Sequence, residues 1–221
     1  MKRPANALPL AVLAILFEKP MHPYEISTTL RERRKEESIR LNFGSLYAVV
    51  ESLRKKGLIE ARETMRDGNR PQRTIYELTE AGEEALDQWL GELLSEPAPQ
   101  FTDFEAALSL MGAMPPEEAA ALLTRRVEAL TEAGKTHADM MASAPAAFPR
   151  LFMIEAEYQE TLRRAELAFV KQLLHDMDSG ALTGMPIWRR VHELRSNGPK
   201  SDMQAQLFSE FSEELAWSDD N

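Results

Sequence analysis

The sequence predicts a mainly α-helical chain in two parts. Three helices, a two-stranded hairpin and a fourth helix form the first part, and helices alone form the second. Three observations carry this. Apolar residues recur at steps of three and four along most of the 221 residues. The period changes to alternation in one place, on either side of Asp67-Gly68. The charge also divides: residues 1–76 hold 15 Lys+Arg against 9 Asp+Glu, a balance of +6, and residues 77–221 hold 11 against 27, a balance of −16, within a total of −10.

The first helix is read from Leu10, Leu13, Leu16 and Phe17 on one face, and it must end near Glu18-Lys19 because Pro20 follows. His22-Pro23-Tyr24-Glu25-Ile26 starts the second helix with Pro23 in its first turn, and Ile26 and Leu30 supply the inner face. The third helix follows Asn42, a residue suited to an N-cap, and stops at Gly57. Leu46, Val49, Val50 and Leu53 face inward on it, while Ser45, Ala48, Ser52 and Lys55 form a small, polar or basic outer side that can lie flat in a groove. Arg54 and Lys56 add charge at its far end.

Ile59 and Ala61 alternate with Glu60 and Arg62, and Tyr76 and Leu78 with Ile75 and Glu77, so two strands are expected. Asp67-Gly68 supplies the positive φ that a hairpin turn demands. Arg66, Asn69, Arg70, Gln72 and Arg73 surround that tip with one acid, Asp67, among them. Thr79 is suited to cap a fourth helix through Ala85, Leu86, Trp89, Leu90, Leu93 and Leu94. Ser95-Glu96-Pro97-Ala98-Pro99 breaks it and sets the boundary between a domain over residues 1–95 and one over 100–221.

In the second domain Thr102-Asp103-Phe104-Glu105 has capping-box form and opens a helix through Leu108 and Met111. A long helix opens at Pro115-Pro116 and carries Leu123, Val127, Leu130, His137 and Met141 on one face. Another carries the stripe Leu151, Ile154, Tyr158, Leu162, Ala165, Phe169, Leu173 and Met177, and stops at Ser179-Gly180. Ile187, Trp188 and Val191 mark a short helix, and Leu207, Phe208, Phe211 and Leu215 an acidic last one. One amphipathic hairpin cannot bury both faces of such a stripe, so Leu151 to Leu173 is expected to pair with a second copy of the chain.

Several function classes fall away. Cysteine is absent, which removes disulfides, thiol nucleophiles and Cys-ligated zinc. His22, His137, His175 and His192 lack metal-ligand spacing, and neither a Gly-rich phosphate loop nor a G-x-S-x-G elbow is present. Neither an enzyme nor a cofactor is expected. No apolar run approaches the ~20 residues of a membrane span. Leu8–Phe17, interrupted by Pro9 and without a small-residue cleavage site, reads as a helix and not as a signal peptide, so the expected compartment is the cytoplasm.

Two helices, a turn and a third basic helix make a helix-turn-helix, and a cationic hairpin beside it fits a wing that touches phosphates. With the acidic remainder, the pattern is that of a DNA-binding head on a non-DNA-binding body. The residues that build this head resemble the PadR family of winged helix-turn-helix transcriptional regulators. The matching pieces are Leu13-Ala14-Ile15-Leu16, His22-Pro23-Tyr24-Glu25-Ile26, Gly44-Ser45-Leu46-Tyr47, Lys56-Gly57-Leu58-Ile59, Arg70-Pro71-Gln72-Arg73 and Tyr76-Glu77-Leu78-Thr79-Glu80-Ala81-Gly82, in order over residues 8–94. The surroundings of Leu162–Ala168 look like the helical C-terminal domain of the longer, virulence-activator-like subgroup.

The resemblance implies a homodimer held largely by an all-helical C-terminal dimerisation domain, repressing nearby genes at a palindrome. It places Tyr24, Ser45 and Tyr47 on the DNA backbone, the outer side of residues 44–57 in the major groove and residues 66–73 at the wing tip. Pro23 stands where the family usually has Gly, and Ala48 where it has Pro, so base preference is not transferable. On this reading Lys55, Lys56, Arg66, Arg70 and Arg73 supply phosphate contacts, with Asn42 and Asn69 beside them, and Ser52 and Ala48 read base edges. Two recognition helices of a dimer would enter grooves roughly 34–36 Å apart. Trp89 is the residue considered for a small apolar or aromatic effector. The rival reading is a winged-helix protein–protein module without DNA binding, against which the clustered wing arginines argue.

Overall fold

The structure is a computed structural model; it describes residues 4, 6–35, 39, 43–65, 73–97, 99–197 and 203–212. The chain divides into two compact units, Met1–Gln100 and Phe101–Asn221.

The first unit is built around α1 (Leu8–Glu18). The α2 (Pro23–Glu32), α3 (Phe43–Lys55) and α4 (Glu80–Ser95) helices pack on it, as does strand β2 (Arg73–Leu78). With neighbours on so many sides, α1 does not bury one stripe. Leu8, Ala11, Val12, Leu13, Ile15 and Leu16 are all buried, and they cover most of its circumference. Phe17, expected on the inner face, is instead 64 % exposed at the open C-terminal end of the helix. Ile26, Leu30, Leu46, Val50, Leu53, Leu86 and Trp89 complete one continuous core with it.

Strand β1 (Ile59–Met65) pairs antiparallel with β2, Ile59 opposite Leu78 and Met65 opposite Arg73, with an irregularity between Arg62 and Met65. Met21 adds a third partner: Met21 N–H donates to Tyr76 O, and Tyr76 N–H to Met21 O, each at 3.0 Å. This ties the root of the hairpin to the chain between α1 and α2. The Asp67-Gly68 turn lies outside the described residues.

At the foot of α4, Thr79 Oγ1 accepts from Gly82 N–H at 3.1 Å and donates to Gly57 O at 2.7 Å, and Thr79 N–H donates to Leu58 O at 3.2 Å. The approach is close enough that a Cβ on Gly82 would stand 2.0 Å from Leu58 O and 2.7 Å from Leu78 Cδ1. Glycine is required there by close packing. The inner face of α4 stops at Trp89: Leu90, Leu93 and Leu94 are exposed.

The described regular elements of the second unit are all helices, the α-helices among them being α5 (Asp103–Ser109), α6 (Pro116–Ala142), α7 (Ile154–Ser179), α8 (Met185–Asn197) and α9 (Met203–Glu210). Thr102 Oγ1 caps α5 by accepting from Glu105 N–H, and Gly180, at φ +79°, ends α7 in the left-handed region. The pair of long helices α6 and α7 is stitched by Arg126–Glu166. The core cluster of this unit is Leu123, Val170, Met177 and Met185, with Phe104, Met111, Val127, Leu173, Leu174, Leu182 and Trp188 packed around them. The remaining stripe residues Leu151, Ile154, Tyr158, Leu162, Ala165 and Phe169 are all exposed. Leu215 of the last predicted helix lies outside the described residues.

Candidate nucleic-acid interface

The N-terminus of α2 is set by His22. Its Nδ1 accepts from Tyr24 N–H at 3.1 Å, and Glu25 Oε2 accepts from His22 N–H at 2.9 Å, so two orphan donors of the first turn are satisfied. Pro23 follows, where the missing N–H costs nothing. This cap leaves Tyr24 outward, 62 % exposed. At the other end the Arg33 guanidinium forks onto the Glu18 carboxylate, with Nη2 to Oε2 at 2.7 Å, joining α2 to α1. The same pair holds the Glu18 carboxyl below the usual carboxylate range.

The α3 helix ends where Gly57 adopts φ +71°. Gly57 N–H donates to Arg54 O at 2.9 Å and Leu58 N–H to Leu53 O at 3.0 Å, while both leucines are buried. This is a Schellman closure with its hydrophobic contact, and it fixes where the helix stops. With Leu46, Val50 and Leu53 buried, the opposite side is set as well: Tyr47 (50 %), Ala48, Ser52, Lys55 and Lys56 are exposed. Ser45, expected on that outer side, is half-buried, because it sits at the edge between the two faces and not at the crest.

The charges of this face are partly answered within the chain. Glu51 accepts from Arg54 through Nε at 2.9 Å and Nη2 at 2.8 Å, and Lys55 Nζ lies 3.8 Å away. The Glu51 carboxyl is held below its ordinary value, first by the Arg54 hydrogen bonds and then by the charges of Arg54 and Lys55. Arg62 on β1 pairs with Glu77 at 3.2 Å. Lys56 has no ion-pair partner among the described residues. Three cations against one acid remain at the C-terminal end of α3, where the helix dipole also favours positive charge. Sequence reasoning passed over Glu51, although its spacing of three and four from Arg54 and Lys55 announces the pairing.

Other expected site residues have four different outcomes. Asn42, Arg66, Asn69 and Arg70 lie outside the described residues; Arg73 opens β2, opposite Met65. Trp89, considered for an effector, is fully buried in the core of the first unit and presents no surface to a ligand. Leu173 is half-buried against the core of the second unit, unlike the exposed residues of its stripe. Among the described residues no group of His, Asp and Glu could hold a metal ion, and no helix is long and apolar enough to cross a membrane.

Three helices, the third stopped by a Schellman motif, and an antiparallel strand pair pinned at its root define a winged helix-turn-helix. Residues 12–88 match the Transcriptional regulator PadR-like family, and the chain carries a domain of that family. No curated protein matches the chain in sequence. Among solved structures it is similar to Bacillus subtilis PadR in complex with p-coumaric acid, at 17 % identity and TM-score 0.62 over 78 % of this chain and 99 % of that one. It is also similar to the same PadR in complex with operator DNA, at 20 %, 0.57, 78 % and 98 %. The Vibrio cholerae virulence activator AphA gives 18 %, 0.58, 78 % and 98 %. At these identities the likeness is one of fold.

Proposed function

We propose that this protein is a dimeric DNA-binding transcriptional regulator, acting as a repressor at a palindromic operator and released by a small apolar or aromatic effector. The observation that carries the reading is the two-sidedness of α3. Leu46, Val50 and Leu53 are buried with Val49 partly so, while Tyr47, Ala48, Ser52, Lys55 and Lys56 stand outward, and Tyr24 on α2 is exposed as well. A helix with small residues on its outer crest and cations at its end suits a major groove bordered by phosphates. The wing segment 66–73 brings further arginines to the same head. The solved Bacillus subtilis PadR is seen with operator DNA and with p-coumaric acid, which supports both partners for a chain of this fold.

In this reading Lys55, Lys56, Arg66, Arg70 and Arg73 neutralise phosphates and set affinity, while Ser52 and Ala48 meet base edges. Both readers are short, so DNA shape contributes to specificity. The exposed α7 stripe from Ile154 to Phe169 joins a second copy.

The test is a mobility shift with DNA from upstream of the protein's own gene across a range of salt. About six phosphate contacts give a log–log slope near −5, and a slope near zero ends the reading. Replacing Arg70 and Arg73 together by Glu weakens binding to every sequence alike. Substituting Ser52 changes which sequences are preferred.

A further inference from the structure

The second unit contains a cavity of about 360 Å³ between α5, the turn after it and α6, lined by Phe104, Leu108, Met111, Met114, Leu123 and Arg126 among others. We propose that it binds a small apolar molecule carrying one acidic group, its hydrocarbon part among the Leu and Met side chains and its acid on Arg126. The proposal gives the effector of the preceding reading a site and a chemical class, and it rests on that reading only for the consequence at DNA.

The size falls at the lower end of the roughly 300–1,000 Å³ of small-molecule sites, which are mostly apolar with a few fixed polar groups. Here the fixed group is Arg126. Its guanidinium carbon lies 3.6 Å from the centroid of the Phe104 ring, so the ring holds one face. Its Nε donates to Glu166 Oε1 at 2.5 Å, which holds one edge. A guanidinium has five N–H donors. The four on Nη1 and Nη2 have no acceptor among the described residues, and that edge is the fork that recognises a carboxylate in two parallel hydrogen bonds.

The floor is pre-formed. Trp188 Nε1–H donates to Met114 O at 2.7 Å, and His192 Nε2 stands 3.0 Å from Gly112 O. Arg189 on the same helix pairs with Glu117 at 2.9 Å. Helix α8 thus fixes the turn that carries Met111 and Met114, whose flexible side chains adapt to the shape of a ligand. Glu166 cuts against an anion, and this gives the proposal a sign: removing that charge must strengthen binding.

The test titrates the full chain, without DNA, with 3-phenylpropanoate and with the neutral 3-phenylpropanamide by calorimetry. The acid is expected to saturate one site per chain and to bind more tightly than the amide. Arg126→Gln should weaken the acid about 10- to 100-fold and leave the amide nearly unchanged, since a hydrogen bond to a charged group is the contact removed. Glu166→Gln should tighten the acid several-fold. Ala107→Trp, placed at an exposed lining position, should abolish both by filling the space. Equal affinity for acid and amide, no saturation, or indifference to Arg126→Gln and Ala107→Trp would each overturn the proposal. Failure to bind DNA would sink the regulator reading and leave this site standing, because neither titration contains DNA.

Discussion

The two units of this chain use their apolar residues in opposite ways. In the first, large side chains converge: Trp89, Leu13, Ile26, Leu53, Leu58 and Ile59 are all fully buried in one core. In the second, the described core has Leu123, Val170, Met177 and Met185 at its centre, while Ile154, Tyr158, Leu162 and Phe169 are each half or more exposed along α7. A monomeric protein seldom exposes a contiguous apolar stripe of this length. The difference teaches that the first unit has the core to fold on its own contacts, whereas the second carries apolar surface that its own helices do not cover.

The largest expected effect separates the two directly. Trp89→Ala removes a fully buried aromatic and should cost the first unit about 3–5 kcal/mol, read as a lowered unfolding midpoint in urea. Leu162→Glu with Phe169→Glu alters only exposed positions, so in an isolated chain it should change stability by about 0.5 kcal/mol or less. If a second copy covers the stripe, the same pair should instead weaken self-association by about 100-fold or more, seen by sedimentation equilibrium. A chain that sediments as a monomer before and after the substitution would erase the contrast.

A smaller effect sharpens what holds the first unit. Gly82→Ala places a methyl group 2.0 Å from the Leu58 carbonyl and 2.7 Å from Leu78, and the first of these is backbone that cannot step aside cheaply. The expected loss is about 1–3 kcal/mol, measured by the same urea midpoint. Gly91, where an added Cβ meets nothing within 4 Å, is the matched control: Gly91→Ala on an exposed stretch of α4 should be neutral or slightly stabilising.

These two glycines show why only part of the structure could be read from the sequence. Periodicity and turn chemistry are local, so α2, α3, the paired strands and the Gly57 stop were legible from residues within a few positions of each other. Gly82 was legible only as one letter of a family pattern, because its reason is a carbonyl 24 positions earlier in the chain. The α1 reading failed in a related way. Leu10, Leu13, Leu16 and Phe17 do share a helical face, yet neighbours on several sides bury Ala11, Val12 and Ile15 as well and leave Phe17 out. A periodic pattern reports one face and cannot report how many neighbours a helix has. The cavity at Arg126 was illegible for the same reason: Arg126, Phe104 and Glu166 meet across three separate helices.

The smallest predicted effect lies on α3 itself, whose one acid opposes the proposed partner. Glu51 occupies Arg54 and Lys55. Glu51→Gln frees both and removes an anion from the face set towards phosphates, so DNA affinity at low salt should rise a few-fold and the salt slope steepen by about one. The sign of the pH dependence follows from the lowered carboxyl. Its ion pair contributes fully above the ordinary value of 4.5, and that contribution is lost only as the pH falls through the lower folded value. From pH 5 to 8 Glu51 therefore stays charged, and the gain from Glu51→Gln should be flat across that window in a mobility-shift titration. Below it, protonation makes the wild-type chain resemble the variant, and their affinities should converge. A gain that varies between pH 6 and 8 would show that another group, not Glu51, governs the charge of this face.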